Sequence, residues 1–269
     1  MKNTLLKLIL LIFVSSITIP AFSQAESPYK TDLYKDGAWL IGGFALSGYG
    51  LKLVMDKDDL TEEELAKLDK DDIWGIDRWA AGNFDEDASK ISDIPFFISF
   101  ATPLLFTLDK TTRKKSGQIA VMYLESLSTT AALFTITAGL VDKSRPLVYN
   151  ENVDLDKRLR NNSQRSFYSG HVAASATATF FAAQVFSDFF PDSKAKPYIW
   201  AGAALIPATV AFYRTKSGNH FLTDNIIGYA LGAASGILVP RLHRNKNSDF
   251  KVGASGGLNG QYINLSYRF

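Results

Sequence analysis

A histidine in the last part of the chain has an arginine before it and an aspartate after it. Arg214 stands six residues before His220, and Asp224 stands four residues after it. If a helix begins near His220, this spacing places both side chains on one face, so that the carboxylate of Asp224 can hold one imidazole nitrogen and leave the other free. A histidine held in this way is a nucleophile or a base.

Two earlier segments carry residues of the same kinds. His171 follows a Ser-Gly pair at the start of one apolar stretch, and Arg145 precedes Pro146 at the end of another. In order and spacing, the three segments resemble the signature motifs of the type 2 phosphatidic acid phosphatase and vanadium haloperoxidase superfamily. The resemblance covers about residues 94 to 240.

The resemblance implies a role for each motif residue in the hydrolysis of a phosphate ester. His220 would attack phosphorus to give a phosphohistidine, Asp224 would orient it, and His171 would protonate the leaving oxygen and later activate water. Four further residues would bind the phosphate oxygens: Arg145, Arg214, Ser169 and Gly170. No metal and no other cofactor is expected.

Three positions depart from the family pattern. The first motif of the family begins with a lysine seven residues before its arginine, and here that position is Ala138. Tyr168 stands where the second motif has proline, and Tyr213 stands where the third has serine. The missing lysine removes a phosphate-binding cation. Lys143 and Lys216, in the loops of the first and third motifs, are candidates to replace its charge.

Composition excludes several classes of protein. The chain has 269 residues, 46% of them hydrophobic and 13% aromatic, which is enough to bury one sizeable core. The net charge of +2 comes from nearly equal numbers of acids and bases, so we expect no binding of nucleic acid. The absence of cysteine excludes a disulfide framework. His243, outside every motif, is predicted to be a solvated residue among basic neighbours.

The N-terminus has the pattern of an export signal. Lys2 and Lys7 flank a basic start, Leu8 to Ile19 is apolar, and Ala21 to Ser23 offers a small-x-small cleavage site; an uncleaved membrane anchor is the alternative. Four segments are therefore predicted: a signal peptide (1–23), N-terminal peripheral helices with a charged loop (24–93), a phosphatase-like helical core (94–246) and a β-hairpin tail (247–269).

The predicted fold is all-α, a bundle of five to six core helices with a C-terminal β-hairpin. Five apolar stretches have helical length: Ile94 to Leu108, Gln118 to Val141, Val172 to Phe190, Tyr198 to Tyr213 and Phe221 to Pro240. The apolar run Gly37 to Val54 is interpreted as peripheral. Thr61 with Glu64 predicts a capped short helix over Glu62 to Leu68, and alternation after Pro240 predicts the hairpin.

Connectivity places the three motifs at one end of such a bundle. Helices that alternate in direction bring all three motifs to one end, while lysines and arginines collect in the loops of the other end. Such loops favour the cytoplasm, so the catalytic end is predicted to face outward. We expect an exported protein, either in the inner membrane with a periplasm-facing site or periplasmic.

The predicted function is hydrolysis of a phosphomonoester or diphosphate outside the cytoplasm. Apolar helices around the site favour a membrane and a lipid phosphate, such as phosphatidate, a polyprenyl diphosphate or a lipid A phosphate. Three alternatives stay open: a soluble periplasmic acid phosphatase acting on small phosphate esters, a catalytically weakened relative that binds phosphorylated lipid, and a vanadate-dependent haloperoxidase. Members of the last class are typically much larger than this chain.

Overall fold

The chain folds mainly as helices in the computed structural model, which describes residues 27–245, 250–257 and 260–267. The predicted export signal, residues 1–23, lies outside the described residues. Six long helices form the body: α1 (Leu33–Met55), α2 (Glu86–Ala101), α3 (Ser116–Leu140), α4 (Gly170–Phe189), α5 (Lys196–Lys216) and α6 (Leu222–Leu242).

Short helical segments connect the long helices. Four are α-helical, Glu62–Ala66, Gly75–Arg78, Lys110–Arg113 and Leu155–Leu159, and four are 3-10 turns, Lys70–Asp72, Thr102–Thr107, Pro146–Tyr149 and Asn161–Gln164. Thr61 and Glu64 cap the first of these reciprocally, which confirms the predicted capping box, although the helix ends at Ala66.

Each of the five predicted helices is present, and α2 differs most from its prediction. It begins at Glu86, where the Asp85 carboxylate accepts a hydrogen bond from the backbone N–H of Ala88 at 2.8 Å. Its first two turns are polar, so the apolar pattern did not reveal the start of the helix. The boundary predicted between residues 93 and 94 therefore falls inside a helix.

Helix α4 lies at the centre of the body and contacts α2, α3, α5 and α6. Three glycines of α6, spaced four residues apart, face it: Gly228, Gly232 and Gly236. A Cβ atom on any of them would lie 2.5 Å or less from a carbonyl oxygen of the facing segment, so the two helices could not approach this closely with larger residues. This contact fixes the start of α4 against the start of α6.

Helix α1 packs along α3, also through small residues. A Cβ atom at Gly43 would lie 2.6 Å from the Ser128 hydroxyl oxygen, and one at Gly50 would lie 2.4 Å from the Thr135 hydroxyl oxygen. The apolar run that was interpreted as peripheral is therefore a long helix on the outside of the body, with most of its surface exposed.

The long helices bring the three motifs to one end of the body, which we call the site end. The site end contains the last turns of α3 and α5 and the first turns of α4 and α6. The other end holds the last turns of α4 and α6, where Arg241 Nε donates to Gln184 Oε1 at 3.1 Å. By length and composition, α1, α3 and α6 are able to cross a membrane.

Two paired strands follow the helices. Strand β1 (Phe250–Gly257) pairs with β2 (Gly260–Tyr267) in antiparallel register, with Val252 opposite Leu265. The turn that would join them, residues 258–259, lies outside the described residues, so the hairpin stays a prediction.

Candidate active site

Backbone hydrogen bonds join the loops that carry the first two motifs. The N–H of Lys143 donates to Gln164 O at 3.0 Å, and the N–H of Arg145 donates to Ser163 O at 2.8 Å. Lys143 and Arg165 form a parallel β-bridge in the same place. This pairing places the backbone of Arg165 beside that of Lys143, two residues before Arg145.

The loop of the third motif docks onto the first through a glycine. The N–H of Leu147 donates to Gly218 O at 3.1 Å, and Gly218 has a positive φ of 74°. A Cβ atom at Gly218 would lie 1.8 Å from Asn83 O, so only glycine fits both the conformation and the space. The tight turn carries the chain from Arg214 back to His220.

A cavity opens where the three loops meet. Its volume is about 330 Å³, and its lining residues are Phe96, Phe134, Arg145, Asn162, Arg165, Gly170, His171 and His220. The two histidines predicted to be catalytic therefore share one cavity with the arginine of the first motif and the glycine of the second. Their catalytic roles stay predictions.

His220 is buried, and a backbone carbonyl fixes its tautomer. Nδ1 lies 2.6 Å from Ser166 O, which can only accept, so Nδ1 carries the proton and Nε2 has the free lone pair. Burial, together with the positive charge of Arg145, holds the pKa of His220 well below its usual range. The imidazole is therefore neutral and has a nitrogen available for attack.

Asp224 does not hold His220 directly, which corrects the sequence-based prediction. Helix α6 begins at Leu222, after His220, so the two side chains do not share a helical face. The Asp224 carboxylate instead accepts hydrogen bonds from Ser166 Oγ at 2.6 Å and from Lys143 Nζ at 2.7 Å. Ser166, a residue that the motif spacing did not single out, therefore links Asp224 to His220 through its side chain and its carbonyl oxygen.

His171 lies at the mouth of the cavity. Its side chain is 39% exposed, and its ring packs on Phe96 with centroids 4.5 Å apart. Burial of the imidazole, and then the charges of Arg214 and Arg145, lower the pKa of His171 to about 3. In the absence of an anion, His171 is neutral.

The two predicted phosphate-binding arginines each keep one side chain–side chain hydrogen bond. Arg214 is buried, and its Nη2 donates to Asp93 Oδ1 at 2.8 Å. Arg145 Nη1 donates to Asn219 Oδ1 at 2.9 Å. Burial and the charges of Arg165 and Arg214 lower the pKa of Arg145 to about 9. No motif pointed to Asp93, which lies in the polar part of α2.

Several buried polar atoms in these motifs have no hydrogen-bond partner in the part of the chain that the structure describes. They are Nε of Arg145, Nε of Arg214 and Oγ of Ser169. Leaving a buried polar group unpaired costs about 1–3 kcal/mol, and more for a charged one. The oxygens of a bound anion would satisfy them. A Cβ atom at Gly170 would lie 2.7 Å from the Phe134 ring, so no side chain fits beside this site.

The candidates to replace the missing lysine have other partners. Ala138 is buried on α3. Lys143 Nζ pairs with Asp224, as above, and lies 3.6 Å from Asp77 Oδ2. Lys216 Nζ lies 2.9 Å from Asp85 Oδ2. Neither lysine lines the cavity, so neither takes the predicted place beside the substrate phosphate.

His243 is buried at the opposite end of the body, so the prediction of a solvated residue is wrong. Its Nε2 lies 3.1 Å from Glu125 Oε2 and 3.4 Å from Asp36 Oδ1. The basic pattern around His243 hid its role because the two carboxylates come from distant helices. The three side chains offer ligand atoms within 4.8 Å of one another, the spacing that a metal ion would require.

A family model and a solved structure are similar to this chain. Residues 119–248 match the family model of the PAP2 superfamily. A crystal structure of a transmembrane PAP2 type phosphatidylglycerolphosphate phosphatase from Bacillus subtilis is similar to the chain at 18% identity and a TM-score of 0.39, covering 78% of this chain and 96% of that one. No curated protein matches the chain. The chain is therefore similar to the PAP2 superfamily over residues 119–248.

Proposed function

We propose that the chain is a phosphatase that hydrolyses a lipid phosphomonoester or diphosphate through a phosphohistidine at His220. One observation carries the proposal. A single cavity is lined by a neutral histidine with a free Nε2, by a second histidine and by Arg145. This set provides a nucleophile, an acid and a cation for a tetrahedral anion.

In the first step, His220 Nε2 attacks phosphorus. The new N–P bond forms as the ester P–O bond breaks, and the electron pair of that bond goes to the leaving oxygen. His171 supplies the proton that this oxygen takes up. Arg145 and Arg214 bind the other phosphate oxygens and stabilise the negative charge that develops on them.

His171 needs a proton before it can act as the acid. Burial, and then the charges of two arginines, hold its pKa low when no anion is bound. A bound phosphate group neutralises these arginines and adds a negative charge, so substrate binding raises the pKa of His171. In the second step the neutral His171 takes a proton from water, the water oxygen attacks phosphorus, and the N–P electron pair returns to His220.

The outer surface of α2 favours a lipid substrate. Phe96 lines the cavity, while its neighbours Ile94, Phe97 and Ile98 are 61%, 67% and 55% exposed. An apolar surface of this kind beside a polar cavity fits an acyl or prenyl chain that lies along the helix while its phosphate enters the site.

We place the site end outside the cytoplasm, because lysines and arginines are concentrated in three short segments of the other end, at 110–115, 194–196 and 241–244. Those of the site end are spread among acidic residues in two longer loops. Helix α1 begins at that other end, so an α1 that crosses the membrane would start in the cytoplasm. A cleaved export signal would instead place this start outside. The orientation that we propose therefore rests on the loop charges alone.

Location can be tested because the chain has no cysteine. Glu151→Cys would mark the site end and Lys194→Cys the other end, both at exposed positions. In spheroplasts, a membrane-impermeant maleimide should label the first variant and should label the second only after permeabilisation. The reverse pattern would contradict the proposed orientation.

Phosphate release from a panel of substrates tests the function. The panel contains phosphatidate, a polyprenyl diphosphate, a lipid A phosphate and the soluble ester p-nitrophenyl phosphate, each measured with the parent and with His220→Ala. We expect release from at least one lipid, lost in the variant. Equal background release from both proteins would instead indicate the catalytically weakened relative. A preference for the soluble ester, with a protein that needs no detergent, would indicate the periplasmic acid phosphatase.

A further inference from the structure

Arg165 lies in the same cavity as His220 and Arg145, although it belongs to none of the three motifs. Backbone pairing between the first two motif loops places it beside Lys143, two residues before Arg145. Its Nη2 donates to Asn162 Oδ1 at 2.6 Å, and this neutral amide also lines the cavity. The loop thus holds the guanidinium in place without neutralising its charge.

The Arg165 guanidinium lacks an anionic partner. In the part of the chain that the structure describes, its Nε is buried without a hydrogen-bond partner, and no carboxylate forms an ion pair with it. Two of the other cations nearby differ, since Arg214 pairs with Asp93 and Lys143 pairs with Asp224. Arg145 is like Arg165 in that a neutral amide, that of Asn219, accepts its hydrogen bond. Arg165 therefore has a free donor and an uncompensated charge inside the cavity.

The charge of Arg165 acts on the site even when it is empty. Burial lowers the pKa of Arg165, and the charge of Arg165 contributes to the lowered pKa of Arg145. Two guanidinium groups that repel each other in a partly buried place are unfavourable unless an anion lies between them. The cost of this arrangement falls when a phosphate group binds.

We infer that Arg165 binds an oxygen of the substrate phosphate, as a third guanidinium beside Arg145 and Arg214. The inference rests on the proposed function, since it assigns a phosphate-binding residue to the same site. Ala138 leaves α3 without a cation one turn beyond Phe134, which lines the cavity, and Arg165 supplies positive charge to this cavity from the opposite loop.

Equilibrium binding of inorganic phosphate tests the inference independently of turnover. We would measure it by calorimetry on the detergent-solubilised full chain, for the parent, Arg165→Ala and Arg165→Lys. Loss of a charge-assisted hydrogen bond should weaken phosphate binding about tenfold or more in Arg165→Ala. Arg165→Lys should recover part of this loss, because it keeps the charge but loses the planar fork.

Arg160→Ala is the matched control. Arg160 lies five residues earlier in the same loop, is exposed and does not line the cavity, so its removal should leave phosphate binding unchanged. With the best ester of the substrate panel, Arg165→Ala should raise KM about tenfold, with a smaller effect on kcat. Thermal midpoints from the same samples show whether the variants are folded.

The result that overturns the inference is distinct from the failure of the proposed function. If folded Arg165→Ala binds phosphate as tightly as Arg160→Ala does, Arg165 is not a phosphate ligand. If Arg165→Ala is unfolded, Arg165→Lys decides by the same comparison, and parental affinity with parental KM would mean that the Arg165 guanidinium does not bind the phosphate. Parent turnover no greater than that of His220→Ala would instead refute the phosphatase, and phosphate binding would still decide on Arg165.

Discussion

His220 and His243 are anchored alike and surrounded by opposite charges. Each directs Nδ1 to a backbone carbonyl, Ser166 O at 2.6 Å and Val239 O at 2.9 Å. The remaining nitrogen of His220 belongs to a cavity that also holds arginines, whereas that of His243 faces the carboxylates of Glu125 and Asp36. The same anchor therefore leaves Nε2 of His220 among cations at one end of the body and Nε2 of His243 among carboxyl groups at the other.

The charges around a buried histidine therefore decide whether its second nitrogen stays unprotonated. Cations oppose protonation, so His220 keeps a lone pair that can attack phosphorus. At the other end, His243 Nε2 meets Asp36 Oδ1 in a hydrogen bond at 3.4 Å and lies 3.1 Å from Glu125 Oε2. Exchanging or deleting these partners should affect chemistry at one end and stability at the other.

The largest expected effect is the difference in activity between variants of the two histidines. His220→Ala should lower the turnover of the best substrate about a thousandfold or more, because it removes the nucleophile, with little change in thermal midpoint. His243→Ala should lower activity only in proportion to the folded protein that it loses. Rates per folded molecule, determined for both variants, test this prediction. Similar losses of activity per folded molecule in the two variants would contradict this prediction.

The stability of the opposite end gives the second prediction. His243→Ala leaves the carboxyl groups of Asp36 and Glu125 buried without the imidazole between them, and leaving a buried polar group unpaired costs about 1–3 kcal/mol. The double variant His243→Ala/Glu125→Gln replaces one of these acids by a neutral amide and should recover part of this loss. Denaturation of both variants in the same detergent measures the difference. A double variant no more stable than the single one would mean that Glu125 and His243 do not form a pair.

Removing the Ser166 hydroxyl should have a smaller effect on turnover. Ser166→Ala removes the hydroxyl that donates to Asp224 but keeps the carbonyl that fixes the His220 tautomer. Loss of one hydrogen bond of about 1 kcal/mol should slow turnover by roughly fivefold to tenfold. If Asp224 held His220 directly, the variant would keep the parental rate.

The smallest expected effect is on the dependence of stability on pH. The folded-state pKa values of His220 and His171 lie below their unfolded values, so below about pH 6.5 the unfolded chain binds protons that the folded chain does not. Stability should therefore fall as pH drops from 7 towards 5. Phosphate should reduce the fall by raising the pKa of His171. Thermal midpoints measured from pH 7 to pH 5, with and without phosphate, test this prediction. The same dependence of the midpoint on pH in both series would mean that phosphate does not raise the pKa of His171.

The sequence predicted the parts of the site that depend on residue type and order. Motif order predicted that His171 and His220 would meet, and alternating helices predicted the end at which they do so. The residues around the two histidines were not predictable. Backbone pairing between loops brings Arg165 and Ser166 to the site, and such pairing leaves no regular spacing in the sequence. Asp93 was missed because it lies in the polar first part of α2, where the apolar pattern did not reveal the helix, and it reaches Arg214 from there.

Trapping of the covalent intermediate tests the central claim most directly. p-Nitrophenyl phosphate carries a leaving group that does not need a proton, so His171→Asn should still form the phosphoenzyme while lacking the base that activates water. With the ester labelled in its phosphate, this variant should accumulate acid-labile, base-stable label on the protein, and His220→Ala/His171→Asn should accumulate none. The account is contradicted if the double variant is labelled to the same extent, or if the label maps to any residue other than His220.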